Sequence, residues 1–89
     1  MMHPDDIREL LAAAIPNAEI EVRDLTGGGD HFEVTVVSEI FAGRGRVDQH
    51  QLVYAPLRAA LADRIHALAL KTYTPEQWRQ RPKSLRVIA

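Results

Sequence analysis

The chain has 89 residues and a formal net charge of −1, and 46% of its residues are hydrophobic. This length suits one small domain with a single core. The sequence contains no cysteine, which excludes disulfides, thiolate nucleophiles and cysteine-ligated metal centres supplied by this chain alone. It has neither an apolar run long enough to span a bilayer nor a signal-peptide pattern, so we expect a cytoplasmic protein without a membrane partner.

Charge is distributed unevenly along the chain. Residues 1–43 carry nine acids and two bases, whereas residues 44–89 carry three acids and nine bases. This asymmetry favours an electrostatic partner for the second half, although an unevenly charged, solvated surface explains it equally well.

The first half predicts a helix and then two strands. Pro4 with two aspartates behind it is typical of a helix start, and Pro16 ends the helix. Alternating polarity predicts strands over residues 18–25 and 31–40. The helix carries an apolar stripe formed by Ile7, Leu10, Leu11, Ala14 and Ile15. The second strand turns three side chains towards the core, those of Phe32, Val34 and Val36.

A loop with three glycines, residues 26–30, joins the two strands as an antiparallel hairpin. It lacks the G-x-G-x-x-G spacing, the Walker lysine and the following helix of a phosphate-binding loop. We therefore interpret it as a flexible hairpin loop, free to adopt positive φ angles.

Residues 47–63 have a helical pattern interrupted by Pro56, which removes a helical donor and clashes with the preceding turn. We therefore predict two short helices, 47–54 and 56–63, that meet near Ala55. The positions expected to be buried are Val47, Tyr54, Leu57 and Leu61.

The stretch from Ile65 to Tyr73 is mostly apolar on both parities and predicts a strand covered on both faces. A capping box from Thr74 to Gln77 starts a last helix, which should bury Trp78. Four bases and no acid follow. We expect a domain over residues 1–78 and a frayed basic tail over residues 79–89.

The predicted order is α-β-β-α-α-β-α in a single α+β domain. A helical crossover makes the strand at 65–73 parallel to the strand at 31–40, which gives a three-stranded mixed sheet. Helices should lie mainly on one face of that sheet.

The four histidines are the only soft metal ligands, and no pair has a short metal-binding spacing. His31 and His66 open two strands that should start at the same edge of the sheet, so their imidazoles could converge; two unrelated polar residues at strand ends are the alternative. We expect His50 to be solvated or packed on its helix, and His3 to have no role. No carboxylate pair, serine–histidine set or cofactor fingerprint is present, so we do not expect an enzyme.

Three segments of the chain carry a family resemblance. They read HFEVTVVSEIFAG at 31–43, RVDQHQLVYAPLRAAL at 46–61 and RIHALALKTYTPEQW at 64–78. Together they resemble the BolA-like family over nearly the whole chain, from about Ile7 to Trp78. The resemblance implies the element order given above, in a fold similar to class II KH domains.

The resemblance also implies a function that composition does not show. BolA-like proteins pair with monothiol glutaredoxins of the CGFS type and share a bridging 2Fe–2S cluster, in iron–sulfur cluster trafficking or iron sensing. On this basis His66, in the I-H-A-L motif, is the expected cluster ligand, and His31 stands in for a loop ligand that this chain lacks. No cofactor is expected in the isolated chain, which should be a monomer or a weak homodimer.

Some members of the family are described as DNA-binding regulators, which makes transcriptional regulation, as in a stress response, the alternative function. This chain lacks the G-x-x-G loop with which KH domains clamp nucleic acid. The predicted helix pair at 47–63 could instead act as a helix-turn-helix. The basic residues near it are Arg44, Arg46, Arg58 and Arg64.

Overall fold

The computed structural model describes residues 2–81. Helix α1 spans Pro4–Ala14 and begins as predicted. It buries Ile7 and Leu11 against the sheet. Its apolar stripe is narrower than predicted, because Leu10 is 40% exposed and Ala14 is exposed. Asn17, with a φ of 66°, turns the chain into the first strand.

Three strands form one sheet in the order β1-β2-β3. They are β1 (Glu19–Asp24), β2 (His31–Val37) and β3 (Ala67–Tyr73). β1 and β2 pair antiparallel, and β2 and β3 pair parallel, so both predicted pairings are confirmed. β2 ends earlier than predicted because the chain turns into a 3-10 helix, η1 (Glu39–Phe41), where the Ser38 hydroxyl accepts the Ile40 amide.

The prediction that the third strand is covered on both faces is wrong. Ala67, Ala69 and Lys71 are exposed, whereas Leu68 and Leu70 pack against the core. The strand also begins at residue 67 rather than 65. β3 is an edge strand and α1 and α2 cover only one face of the sheet, so apolar residues on its other parity stay in water.

The prediction of two short helices is also wrong, because helix α2 runs without interruption over Arg46–Asp63 with Pro56 inside it. Val53 and Leu57, on either side of the proline, are both fully buried. Burial of both residues on one face of α2 offsets the roughly 3 kcal/mol that an internal proline costs, so the segments before and after Pro56 stay in one helix. Val47, predicted to be buried, is 70% exposed, because it lies in the first turn, beyond the core.

The core lies between the helices and the inner face of the sheet, and the α+β architecture with a three-stranded mixed sheet is confirmed. With one long helix in place of two, the observed order is α-β-β-α-β-α apart from η1. The outer face, which is the face of the sheet turned away from α1 and α2, carries charged side chains. On it, Arg23 and Lys71 lie 3.3 and 3.8 Å from the carboxylate of Glu33. The largest fully buried side chains are Phe32, Phe41, Ile7, Leu11, Leu57, Val34, Val36 and Val53.

Helix α3 spans Pro75–Gln80 and begins with the predicted capping box between Thr74 and Gln77. Trp78 is half-buried rather than largely buried, because α3 rests on the end of β3 and not on the core. The tail was predicted to start at Arg79, but residues 79 and 80 close α3, and residues 82–89 of that tail lie outside the described residues. Between residues 2 and 81, no helix combines the length and apolarity needed to cross a membrane.

A candidate two-histidine site

The parallel pairing of β2 and β3 brings two histidines together at one end of the sheet. His31 is the first residue of β2 and pairs with Ala67, so His66 lies just before the start of β3. The two imidazole rings have centroids 5.2 Å apart and are tilted by 37°. The predicted convergence of His31 and His66 is confirmed. We call this end of the sheet the histidine end.

The backbone at the histidine end is fixed while the rings remain accessible. The amides of His66 and Ala67 both donate to the carbonyl of Asp30, at 2.7 and 3.1 Å. His66 is exposed and His31 is half-buried. The rings are therefore presented to solvent by a backbone that is already ordered, which lowers the entropic cost of binding a ligand there.

The chemistry of the pair fits part of a metal site. Two imidazoles bound to one tetrahedral metal ion at about 2.1 Å have ring centroids roughly 5 Å apart. Residues 2–81 contain no group of three or more histidine, cysteine, aspartate or glutamate side chains that could hold a metal ion. The described residues therefore bring together two imidazoles as candidate ligands.

The glycine loop before His31 is more constrained than the predicted flexible loop. Gly27 and Gly29 adopt the expected positive φ angles, 79° and 75°. Their amides, however, are bound by the Asp24 carboxylate at the end of β1. The sequence carried a signal for this arrangement that we missed, because an aspartate just before a turn commonly accepts bonds from the amides that follow it.

The other two histidines have local structural roles. His3 is the N-cap of α1, where its Nδ1 accepts a hydrogen bond from the Asp5 amide, so the expectation that it has no role is wrong. His50 is half-buried on α2 with its ring edge-on to Tyr54, at 6.2 Å between centroids, in line with the expected packing on its helix. His50 lies on α2, away from the pair, whereas His3 lines a cleft with Asp24, Gly27 and Gly29 beside the glycine loop.

The arginines proposed for nucleic-acid binding are not gathered into one patch. Arg46 begins α2 and Arg64 caps its C-terminus, so they are separated by roughly 27 Å of helix. Arg58 lies between them, and Arg44 donates to the carbonyl of Ile40. Because α2 is continuous, the helix-turn-helix prediction is wrong.

A basic cleft lies along the free edge of β3, and Arg46 is the one member of it that the sequence analysis named for nucleic-acid binding. Arg46, His50 and Lys71 line a cleft of about 250 Å³ together with the end of β3 up to Tyr73. Arg46 and His50 lie one turn apart on α2, whereas Lys71 is distant in the sequence and is brought to them only by the packing of α2 beside β3. No sequence spacing could have indicated this cleft.

A family model described as "BolA-like protein" matches residues 12–77. The chain belongs to the BolA-like family.

Individual BolA-like proteins match over most of the chain. The Escherichia coli K12 "Acid stress protein IbaG" is 42% identical over 78 residues, covering 86% of this chain and 89% of the relative. The "DNA-binding transcriptional regulator BolA" of the same organism is 36% identical over 85 residues, covering 88% and 81%. The solution structure of mouse BolA1 has a TM-score of 0.79 at 37% identity, covering 90% of this chain and 71% of that one. The two bacterial relatives are named as a stress protein and a regulator rather than as enzymes.

Proposed function

We propose that this BolA-like protein is a non-catalytic adaptor that pairs with a monothiol glutaredoxin and co-ligates a shared 2Fe–2S cluster. The observation that carries the proposal is the pair of accessible imidazoles of His31 and His66, 5.2 Å apart at one end of the sheet. The glutaredoxin partner follows from the family resemblance, and the pair of histidines is the part of this chain that would meet it.

The ligand set favours a shared site over one built by this chain alone. Imidazole nitrogen is a suitable ligand for iron, whereas the thiolates that usually complete such clusters are missing from a sequence without cysteine. Replacing thiolates by histidines raises the reduction potential of a 2Fe–2S centre. His66 and His31 would hold the group, and a partner would supply the thiolates.

The positions of the rings also favour an interface. His66 is exposed, and neither ring takes part in an ion pair in the described part of the chain. The adjoining residues of β3, Ala67 and Ala69, present small side chains on the outer face. A partner could therefore approach the two imidazoles without displacing large groups.

The test is reconstitution of the protein with a CGFS glutaredoxin, glutathione, iron and sulfide. We expect the two proteins to co-elute and the visible spectrum to differ from that of the glutaredoxin alone. The matched control is His50→Ala, which removes an imidazole from the same chain away from the histidine end. Separate elution and an unchanged spectrum would rule the adaptor out.

We propose DNA binding as a second function, favoured by the relative named as a DNA-binding transcriptional regulator. Without a helix-turn-helix, the basic cleft of Arg46, His50 and Lys71 is the best contact for a phosphate backbone. Such contacts give affinity that falls steeply with salt and little sequence preference. Titration of duplexes of different sequence at several salt concentrations tests this, and tight, salt-resistant binding to a single sequence would contradict it.

A further inference from the structure

The Asp24 carboxylate accepts three amides of the loop between β1 and β2. One oxygen of Asp24, Oδ1, accepts the amides of Thr26 and Gly27 at 3.3 and 2.9 Å. The other, Oδ2, accepts the amide of Gly29 at 2.9 Å. Three consecutive glycines lose much backbone entropy when the loop becomes ordered. The three hydrogen bonds to the two Asp24 oxygens offset part of that cost.

The ordered loop continues directly into the histidine pair. Gly29 is followed by Asp30, whose carbonyl accepts the amides of His66 and Ala67. Asp30 is followed by His31, whose carbonyl accepts the amide of Leu25 at 2.9 Å. The loop backbone is therefore bonded to both histidine-bearing segments, with Asp24 at its other side.

The Asp30 side chain adds a second, weaker tie within the loop. Its Oδ1 accepts the Thr26 hydroxyl at 3.2 Å, and that hydroxyl oxygen in turn accepts the Gly28 amide at 3.1 Å. The loop thus has an internal network that places Asp30, the residue bonded to His66. Asp24 is the side chain in this network that accepts the most backbone amides, with three.

We propose that Asp24 is a positioning residue for the His31–His66 pair. By fixing residues 26–29, its carboxylate holds Asp30 in place and thereby sets the separation of the two imidazoles. The link to a cluster rests on the proposed function, but the effect on the geometry of the pair does not. Residues that orient metal ligands from outside typically change metal affinity 10- to 100-fold when they are replaced.

The variants form a graded series with a charge-matched control. Asp24→Ala removes all three accepted bonds, and Asp24→Asn keeps one acceptor oxygen but places an amide near the donors of the loop. Glu21→Gln removes the same charge from an exposed position on the same strand. His66→Ala, alone and combined with Asp24→Ala, tests whether Asp24 acts through the pair.

The first readout is amide hydrogen exchange in the isolated chain. We expect Asp24→Ala to accelerate exchange at Gly29 and also at His66, which Asp24 does not touch, with Asp24→Asn intermediate and Glu21→Gln unchanged. Unchanged exchange at His66 would overturn the proposal, because the loop would then not transmit its order to the pair.

The second readout is Zn²⁺ titration of the isolated chain, followed through the imidazole NMR signals. The wild type should show His31 and His66 shifting together, and Asp24→Ala should weaken Zn²⁺ binding about tenfold or more relative to Glu21→Gln. In the His66→Ala background the same substitution should have no further effect.

Equal affinity in Asp24→Ala and Glu21→Gln, or a wild type whose two rings do not respond together, would overturn the positioning role. Failure of the glutaredoxin reconstitution with these results intact would instead count against the proposed function alone.

Discussion

The two ends of the sheet differ in their polar side chains, which are buried and hydrogen-bonded at one end and accessible to solvent at the other. At the end where β2 and β3 finish, Gln49 is 8% exposed and uses its whole amide within the fold. Its Nε2 donates to the carbonyls of Phe41 and Arg44, and its Oε1 accepts the Thr72 hydroxyl at 2.6 Å. At the histidine end, His66 is exposed and His31 half-buried, with the rings turned to each other and to solvent.

This difference separates a polar residue that folding requires from polar residues that it does not. A buried amide without hydrogen-bond partners would lower the stability of the fold. Gln49 has partners for both its amide nitrogen and its amide oxygen. Among residues 2–81, the imidazoles of His31 and His66 satisfy no buried donor or acceptor, so their removal leaves none of these groups without a partner. We therefore expect substitutions at the two ends to have separable effects on stability and on ligand binding.

The largest expected loss of stability comes from Gln49→Ala. It leaves the Thr72 hydroxyl and the Arg44 carbonyl without their partner, while the Phe41 carbonyl keeps the Arg44 amide, and it should lower the free energy of unfolding by about 3 kcal/mol. Urea denaturation measures this, with Gln51→Ala, exposed on the same helix, as the control. A loss below about 1 kcal/mol would show that water replaces the amide and that this end is not closed.

Trp78→Ala should have an intermediate effect. The ring packs on Tyr73 at 5.2 Å between centroids, and the Arg81 guanidinium lies 3.5 Å from its centre. Because Trp78 is only half-buried, we expect a loss of about 2 kcal/mol rather than the 3–5 kcal/mol of a full core truncation. Trp78→Phe should recover most of it. A loss as large as a core truncation would mean that α3 is an integral part of the core.

His66→Ala should change stability least among these three, by under about 0.5 kcal/mol, as for other surface substitutions. The backbone bond from residue 66 to Asp30 does not depend on the side chain. Gln51→Ala, exposed on α2, is the control in the same urea experiment. Strong destabilisation by His66→Ala would erase the contrast between the two ends and make His66 a structural residue.

The smallest expected effect concerns the basic cleft of Arg46, His50 and Lys71, near the end of the sheet where β2 and β3 finish. Arg46→Gln should remove about one phosphate contact. It should therefore lower the slope of log affinity against log salt concentration by about 1, to the same extent for every duplex sequence. Arg58→Gln, farther along the same helix and outside the cleft, should leave the slope unchanged. Equal effects of the two variants would show that the cleft is not the contact surface.

The sequence was sufficient for features set by short-range chemistry. The capping box at Thr74, the hairpin and the parallel third strand all follow from local residue types and the handedness of crossovers. His31 and His66 could be brought together on the same reasoning, because parallel strands that start side by side place their first residues at one edge.

The errors arose where tertiary packing decides. Pro56 is tolerated because Val53 and Leu57 share one buried face, which the proline rule alone does not consider. Val47 and Trp78 have apolar side chains and were predicted to be buried. The first turn of α2 and the short helix α3, however, lie beyond the core, so Val47 is exposed and Trp78 only half-buried. Asp24 and the cleft of Arg46, His50 and Lys71 depend on which amides and which strand edge lie nearby, and only coordinates show that.

The central claim is that His66 and His31 supply nitrogen ligands to a cluster shared with a glutaredoxin. Its most direct test is pulsed electron paramagnetic resonance of the reduced, reconstituted complex, which detects nitrogen bound to iron. We expect strong histidine nitrogen couplings in the wild type and in His50→Ala, their loss with a more labile cluster in His66→Ala, and a smaller change in His31→Ala. Wild-type nitrogen couplings and unchanged lability in His66→Ala would contradict the ligand assignment.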